Sequence, residues 1–350
     1  MDESTPLLKF GIIGCRHGHV QSQIKELLAI PGAMCAGIYD EDDASVQGVL
    51  DRFPVTRVDS PDRLLDDPDV TLIGTAEINR RKADVILRAL NAGKHIIADK
   101  PLCTSVEDLN AIERVATEKN LRVGLQLTER FGPANRRMKT LVDSGAVGRV
   151  ANVMCWRPHR LGRPNRPDWM FDDDLYGGIL VDLAIHDADI IRWLCGGVFT
   201  EITAYEQNFG NPADTDFHDI GTLLGRLSTG PTGFVRTDWF TPNPSPVHGD
   251  TRFLVTGTDG MIEVRTAGDL WAKKHDGSGQ VLVMANGCGV KTEKPEPASK
   301  TLVRDFVDSI REGATPDITN HDVFEATRAT LMARMSSKLG RTVRRAETLA

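Results

Sequence analysis

Near its start the sequence reads Phe10-Gly-Ile-Ile-Gly-Cys-Arg-His-Gly-His-Val20. The apolar run before Gly14 predicts a buried strand, and the helical spacing from about His19 to Ala29 predicts a helix directly after it. A glycine-containing turn between a strand and a helix offers backbone N–H groups and a helix N-terminus, which together bind phosphate. The segment therefore predicts the first strand, turn and helix of a dinucleotide-binding sheet.

The glycines of this turn depart from the usual G-x-G-x-x-G spacing. When Gly14 is taken as the first glycine, Arg16 occupies the second position and His19 the third. Arg16 adds a side chain where the backbone should approach the pyrophosphate, although its guanidinium can bind phosphate oxygens instead. An ordinary strand-to-helix turn is the alternative interpretation. His17 and His19 also suggest a metal, but the turn offers no third ligand nearby in sequence, so we expect none.

Short apolar runs alternate with amphipathic segments as far as about Leu127. Asn79 to Asn91 and Ser105 to Asn120 both have apolar residues at helical spacing. Strands alternating with helices form a parallel sheet that is covered on both faces. The strands are predicted at residues 10–14, 33–39, 70–75, 95–98 and 121–125.

The second predicted strand ends at Asp40, twenty-two residues after Gly18. An acid at this position can accept hydrogen bonds from both ribose hydroxyls of a dinucleotide. The acids that follow, from Glu41 to Asp43, would repel an additional phosphate. The pattern therefore predicts NAD as the cofactor and disfavours NADP.

The pattern changes after about Gly148. A long helix is predicted from Tyr176 to Leu194, and two further helices, Thr301 to Glu312 and Asp322 to Leu339, close the chain. Between them, consecutive strand-like runs predict an antiparallel or mixed sheet and hence an α+β domain. These runs occupy residues 201–205, 220–227, 233–240, 252–256 and 260–265.

The predicted long helix carries ionisable groups among apolar residues. Asp182, His186 and Asp189 recur at helical spacing, so they share one face if the helix is continuous. Buried acid–histidine pairs have shifted pKa values and are suited to proton transfer. An Asp–His hydrogen bond that only stabilises a half-buried helix is the alternative, but the array with two preceding glycines favours catalysis.

Two separate segments are more specific: Ala92-Gly-Lys-His-Ile-Ile-Ala-Asp-Lys-Pro101 and Gly177-Gly-Ile-Leu-Val-Asp-Leu-Ala-Ile-His186. They resemble the AGKHVxxEKP and GGGxxxDxGxH motifs of the glucose-fructose oxidoreductase, inositol dehydrogenase and rhizopine-catabolism family (Gfo/Idh/MocA). The resemblance implies an N-terminal Rossmann domain with a doubly wound parallel sheet and a C-terminal α/β domain with an open sheet that often serves oligomerisation. It also implies NAD(P)-linked oxidoreduction of sugars, inositols or related alcohols.

The resemblance also implies roles for individual residues. His186 would take the hydroxyl proton, Asp182 would orient it, and Lys100 would stabilise the developing alkoxide. A lysine that only shapes the turn before Pro101 is the alternative. The implied and predicted cofactor-binding residues are Gly14, Cys15, Arg16, His17, Asp40, Thr75, Ala76, Asp99 and Lys100.

The chain departs from the family pattern mainly on the cofactor side. Asp99 replaces the usual glutamate, and Ala76 and Arg80 replace a proline and a histidine. Ala184 replaces a glycine in the second motif, whereas the catalytic trio is intact.

The loop from Trp156 to Trp169 contains four arginines and three prolines. A stiff basic loop can bind a carboxylate or phosphate of a substrate, so we expect Arg157, His159 and Trp169 to contact it. Pairing of the arginines with the acids at residues 172–174 is an equal alternative.

Composition narrows the function classes. Lys plus Arg is 42 and Asp plus Glu is 49, so the net charge is −7, which disfavours nucleic acid as a partner. No apolar run approaches the roughly 18 residues that a membrane-spanning helix needs, and six scattered cysteines without a Cys-x-x-Cys pair predict a reducing cytoplasmic location.

Two contiguous domains are predicted, 1–130 for the cofactor and 131–350 for substrate and oligomerisation, with the helices near 320–340 packing back toward the first. We expect a small-molecule substrate (a polyol, sugar or sugar acid), no membrane contact, and a homo-dimer or homo-tetramer. A family-like glycosidase or lyase with tightly bound NAD, or a non-catalytic sensor, are the alternative functions.

Overall fold

The chain folds into two units, each built around its own sheet. The computed structural model describes residues 8–270 and 277–349. The first unit comprises the chain up to Gln126 together with Asp174–Tyr176 and Lys300–Phe324. The second comprises Leu127–Asp173, Gly177–Ser299 and the chain from Glu325. The units are therefore interleaved in sequence, whereas the sequence predicted two contiguous domains.

The sheet of the first unit is parallel throughout, as predicted. Its strands lie in the order β2-β1-β3-β4-β5, so the connections reverse direction between β1 and β3. Ligands of such sheets bind at this reversal, beyond the carboxyl ends of the strands. The strands are β1 Leu8–Ile13, β2 Ala33–Tyr39, β3 Val70–Thr75, β4 His95–Ala98 and β5 Val123–Leu125.

Helices separate these strands at the predicted places. Ser105 caps α5, because its side chain accepts a hydrogen bond from the Asp108 N–H. The helix predicted from Asn79 begins only at Lys82, since residues 78–81 form a turn. Along the described chain the α-helices are α1 Val20–Leu28, α2 Asp43–Leu50, α3 Asp62–Leu65, α4 Lys82–Asn91, α5 Val106–Glu118, α6 Pro133–Asp143, α7 Asp173–Tyr176, α8 Ile179–Asp182, α9 Ile185–Cys195, α10 Leu302–Glu312 and α11 Asn320–Leu339.

The sheet of the second unit is large and mostly antiparallel, as predicted. Its order is β13-β12-β11-β10-β6-β9-β8-β7-β14, and only the β6–β9 pairing among these is parallel. Four of its strands, β6, β12, β13 and β14, were not among the strands predicted from the sequence. The strands are β6 Val150–Pro158, β7 Phe199–Gln207, β8 Ile220–Leu227, β9 Thr232–Asp238, β10 Arg252–Gly257, β11 Gly260–Arg265, β12 Gln280–Ala285, β13 Gly289–Glu293 and β14 Val343–Arg344.

One face of this second sheet forms a core with α9. Along β6, Val153 and Cys155 are buried, whereas the intervening Met154 and Trp156 are exposed. Alternation of this kind places one set of side chains against the helix and the other on the open face. No helix among residues 8–270 and 277–349 is long and apolar enough to cross a membrane.

Candidate cofactor and catalytic residues

The turn after β1 has a backbone that only glycine adopts easily. Gly14 has a φ of 90°, and a Cβ atom there would lie 2.7 Å from the Cβ of Glu77. Two backbone hydrogen bonds hold the turn against the end of β3, from Ala76 N–H to the Gly14 carbonyl (3.0 Å) and from His17 N–H to the Ala76 carbonyl (2.9 Å). Ala76 thus contributes both of its backbone groups, and a proline at its position would lack the N–H that donates to Gly14.

Glu77 is a residue near this turn that the sequence analysis did not single out. Burial raises the pKa of its carboxyl group, and its Oε1 accepts the Ile78 N–H at 2.8 Å. Glu77 is half-buried, and its Cβ atom packs close to Gly14.

The carboxylate of Asp40 is buried beside the turn. Its Oδ2 accepts the Cys15 N–H at 2.6 Å and its Oδ1 accepts the Asp42 N–H at 2.8 Å. Nη1 of Arg16 lies 3.7 Å from Oδ1 of Asp40, so the guanidinium places a positive charge next to the turn. An ionised carboxylate accepts about four hydrogen bonds, so these contacts still leave capacity for ribose hydroxyls. The glycine turn, the Asp40 carboxylate and the positive charge of Arg16 are compatible with the binding of a dinucleotide.

At the end of β4, Asp99 lies close to two histidines of the turn. Its Oδ1 is 2.8 Å from Nδ1 of His19, and its Oδ2 is 3.1 Å from Nδ1 of His17. Burial alone would raise the pKa of Asp99, but the charges and hydrogen bonds of the two imidazoles hold it well below its usual range. Burial lowers the pKa of His17, although the neighbouring Asp99 carboxylate opposes this shift. The Asp99 backbone N–H donates to the Thr75 carbonyl at 2.8 Å, which ties β4 to β3.

Lys100 follows Asp99 and is buried, on a segment that a second lysine holds in place. The ammonium group of Lys82 donates to the carbonyl oxygens of Asp99 (2.9 Å), Lys100 (3.2 Å) and Pro101 (3.1 Å). The sequence analysis missed Lys82, although its position one turn before Ile86 placed a charge on the apolar face of a predicted helix. Lys82 therefore fixes the backbone from which Lys100 projects.

The long helix predicted from Tyr176 to Leu194 is wrong, because the chain breaks into three shorter helices. Gly177 and Gly178, with φ of 87° and 89°, separate α7 from α8, and a turn at residues 183–184 separates α8 from α9. Asp182 therefore ends α8, whereas His186 lies in the first turn of α9. Asp182 and His186 therefore do not share one face of a continuous helix, as was predicted. Asp182 is buried and His186 is partly exposed.

Asp189, the third member of the predicted array, is part of a structural ion pair. Its Oδ2 accepts a hydrogen bond from Nε of Arg130 at 2.8 Å, and both side chains are buried. A doubly hydrogen-bonded arginine–carboxylate pair fixes α9 to the preceding 3-10 turn at residues 128–131. This gives Asp189 a role in holding the helix rather than in proton transfer.

Arg157, which was predicted to contact the substrate, is buried at the end of β6. Its guanidinium lies 2.7 Å from the carboxylate of Asp187 and 3.0 Å from that of Glu129. Cys155 donates to the same Asp187 oxygen at 2.8 Å. Two carboxylates neutralise this charge, so the structure favours a structural role for Arg157 over binding of a substrate anion.

The other residues of the basic loop have local partners. The ring of His159 makes edge-to-face contacts with those of Trp239 and His248, and Trp169 is buried. Arg163 pairs with Asp214 at 2.8 Å. Contacts of this kind stiffen the loop, whereas a substrate role for His159 and Trp169 stays a prediction.

Each of the two units contains a segment that matches a known protein family. Residues 8–127 match the oxidoreductase family with an NAD-binding Rossmann fold, GFO/IDH/MocA, and residues 135–263 match the GFO/IDH/MocA C-terminal domain. The chain is 29% identical over 231 residues to inositol 2-dehydrogenase 2 of Saccharopolyspora erythraea, covering 64% of each protein. It is 24% identical over 297 residues to scyllo-inositol 2-dehydrogenase (NAD(+)) of Bacillus subtilis, covering 84% of this chain and 83% of the relative.

A similar structure has also been solved. A candidate oxidoreductase from Erwinia carotovora atroseptica superposes with a TM-score of 0.87 at 31% identity, covering 94% of this chain and 98% of that one. The two family matches follow each other in the expected order, and the chain belongs to the GFO/IDH/MocA family of oxidoreductases.

Proposed function

We propose that the protein is an NAD-dependent dehydrogenase that oxidises a secondary alcohol of a polyol, sugar or sugar acid. The observation that carries this proposal is the glycine turn, with Gly14 at a positive φ and Asp40 bound to the turn's backbone. This is the geometry that a dinucleotide needs at the carboxyl edge of a parallel sheet.

NAD is the proposed cofactor, in preference to NADP. The Asp40 carboxylate would accept hydrogen bonds from the ribose hydroxyls, and a phosphate on the ribose would be repelled by it and by the following acids. Arg16 would supply the positive charge that the pyrophosphate requires. Bound NAD supplies the hydride acceptor, and the remaining tasks fall to the side chains.

Lys100, Asp182 and His186 are proposed as the catalytic group. His186 accepts the proton of the substrate hydroxyl, Asp182 orients and balances the charged imidazole, and Lys100 stabilises the developing alkoxide. Lys82 supports this task indirectly, because it fixes the carbonyl groups on both sides of Lys100. The family resemblance of the two motifs, rather than a measured contact, supports the grouping.

The enzyme is further proposed to be a cytoplasmic homo-oligomer that associates through the open face of the second sheet. Met154 and Trp156 are exposed on that face, and Arg236 and Arg252 flank the Trp156 ring at 5.1 and 5.4 Å. Exposed apolar side chains next to one another are typical of a protein interface. All six cysteines are free, which is consistent with a reducing compartment.

The test compares turnover of wild type, Lys100→Met and His186→Ala with NAD and a panel of inositols, sugars and sugar acids. Each variant should lose about 10²- to 10⁴-fold in kcat while still binding NADH, because charge stabilisation and proton transfer each contribute factors of this size. Lys25→Met and His321→Ala change exposed residues of the same types and should leave kcat unchanged. Full activity in both site variants would overturn the assigned roles, and activity without added NAD would favour chemistry with tightly bound cofactor.

A further inference from the structure

Three potential metal ligands converge at the turn after β1. One ring nitrogen of His17, one ring nitrogen of His19 and a carboxylate oxygen of Asp99 all lie within 4.8 Å of one another. His17 and His19 come from the turn, whereas Asp99 comes from the end of β4, eighty residues further along the chain from His19. The third ligand that the turn lacks in sequence is therefore supplied by the sheet.

The contact between His17 and Asp99 brings two electron-rich atoms together. Nδ1 of His17 accepts the backbone N–H of His19 at 3.3 Å, so in that bond the atom presents a lone pair. The same atom lies 3.1 Å from Oδ2 of Asp99, which is itself an acceptor. A positive charge between these two atoms, either a proton on the imidazole or a metal ion, stabilises their contact in this buried setting.

Asp99 is held rigidly in the position that a metal ligand would need. Its carboxylate is completely buried, its N–H donates to the Thr75 carbonyl, and its carbonyl accepts from the buried ammonium group of Lys82. His19 has a side chain that is 51% exposed, so solvent reaches the cluster from that side. One fixed, buried carboxylate and two imidazoles, of which that of His19 is open to solvent, resemble a prepared coordination site more than an accidental contact.

We propose that His17, His19 and Asp99 bind a divalent transition-metal ion of the Zn²⁺ or Co²⁺ class. Imidazole nitrogens favour these ions over Mg²⁺ and Ca²⁺, which prefer oxygen ligands. Three protein ligands leave at least one coordination position open to water or another oxygen ligand. The site lies within the first unit alone, and the proposal does not depend on the dehydrogenase activity.

The experiment is a titration of the chelator-treated full-length protein with Co²⁺, read by its visible d–d absorption, followed by competition with Zn²⁺. We expect one ion per chain. Groups that only orient metal ligands already contribute about 10- to 100-fold to affinity. His19 is proposed as a direct ligand, so His19→Ala should weaken binding by about 100-fold or more. His321→Ala, which removes another exposed histidine, should bind Co²⁺ as wild type does.

His19→Ala is the main variant because its side chain is half exposed and the fold should tolerate it. Asp99→Asn is the second, checked by circular dichroism for retention of the fold, and it should also lose binding. Absence of a saturable one-to-one Co²⁺ spectrum in wild type would overturn the proposal. Equal affinity in wild type and His19→Ala would overturn it as well. Neither result depends on NAD or turnover, so the proposed function is tested separately.

Discussion

The turn at residues 14–19 and the segment from Asp173 to Cys195 depart from expectation in opposite ways. At the turn, residues differ from the glycine pattern, yet Gly14 keeps the positive φ and the Ala76 hydrogen bonds close the turn. In the segment, the residues match the family motif, yet the continuous helix predicted from their spacing is broken twice. The turn is thus determined by its backbone, whereas the segment is held by buried side-chain pairs.

The largest effect is expected from breaking a pair that holds the segment. Asp189→Asn would leave the buried Arg130 without its full carboxylate partner, which costs about 3–5 kcal/mol of unfolding free energy. Chemical denaturation would measure the loss. Asp143→Asn is the control, because Asp143 is 59% exposed in a surface pair with Lys139 and should cost less than about 0.5 kcal/mol. A cost below about 1 kcal/mol for Asp189→Asn would show that the segment does not depend on this pair.

An intermediate effect is expected from changing the backbone of the turn. Gly14→Ala should lower the unfolding free energy by about 2–3 kcal/mol, since alanine is strained at this φ and its Cβ would overlap Glu77. NADH affinity, measured by fluorescence, should fall as well. Gly18→Ala is the matched control, because a Cβ there meets nothing within 4 Å. If the two variants behaved alike, the turn would not depend on the conformation of Gly14.

The smallest effect concerns a side chain bound to backbone in the first unit. Burial, together with the charge of Arg122, lowers the pKa of His95, whose Nδ1 accepts the Arg122 N–H at 2.9 Å. Below about pH 6.5 the unfolded chain takes up a proton that folded His95 resists, so the stability it contributes is present above that pH and declines as the pH falls.

The unfolding free energy of wild type should therefore fall between pH 7 and pH 5. His95→Gln keeps an acceptor for Arg122 but does not titrate, so its unfolding free energy should fall less over the same range. His321→Gln should retain the wild-type slope, because His321 is exposed. Identical slopes for His95→Gln and wild type would refute this assignment.

The sequence was sufficient to predict the two sheets, because the periodicity of apolar residues indicates directly which residues are buried. Alternating apolar residues identified β8 and β10, and helical spacing identified α4 and α5. It failed at Tyr176 to Leu194, where residues 177–178 and 183–184 break a pattern that remains apolar and helical in spacing. Apolar spacing records which residues are buried, but it does not record whether one helix or three bury them.

Contacts between distant segments could not be predicted from the sequence. The Asp187 partner of Arg157 lies thirty residues away, and the reach of Lys82 to the carbonyl groups around Lys100 spans the α4–β4 connection. The Asp99 partner of the turn histidines is likewise contributed by another strand. Side-chain type singled out Arg157, His17 and Asp99 but not Lys82 or Asp187, and only the fold determined which of these residues are partners.

The central claim is that hydride passes between a carbinol carbon and NAD, and transfer of a deuterium label tests it most directly. The protein would be incubated with NAD and inositols or sugars deuterated at their carbinol carbons, and the nicotinamide recovered for mass spectrometry. We predict reduced nicotinamide that carries one deuterium with wild type and none with Lys100→Met. A substrate that is consumed while the recovered nicotinamide carries no deuterium would contradict the claim.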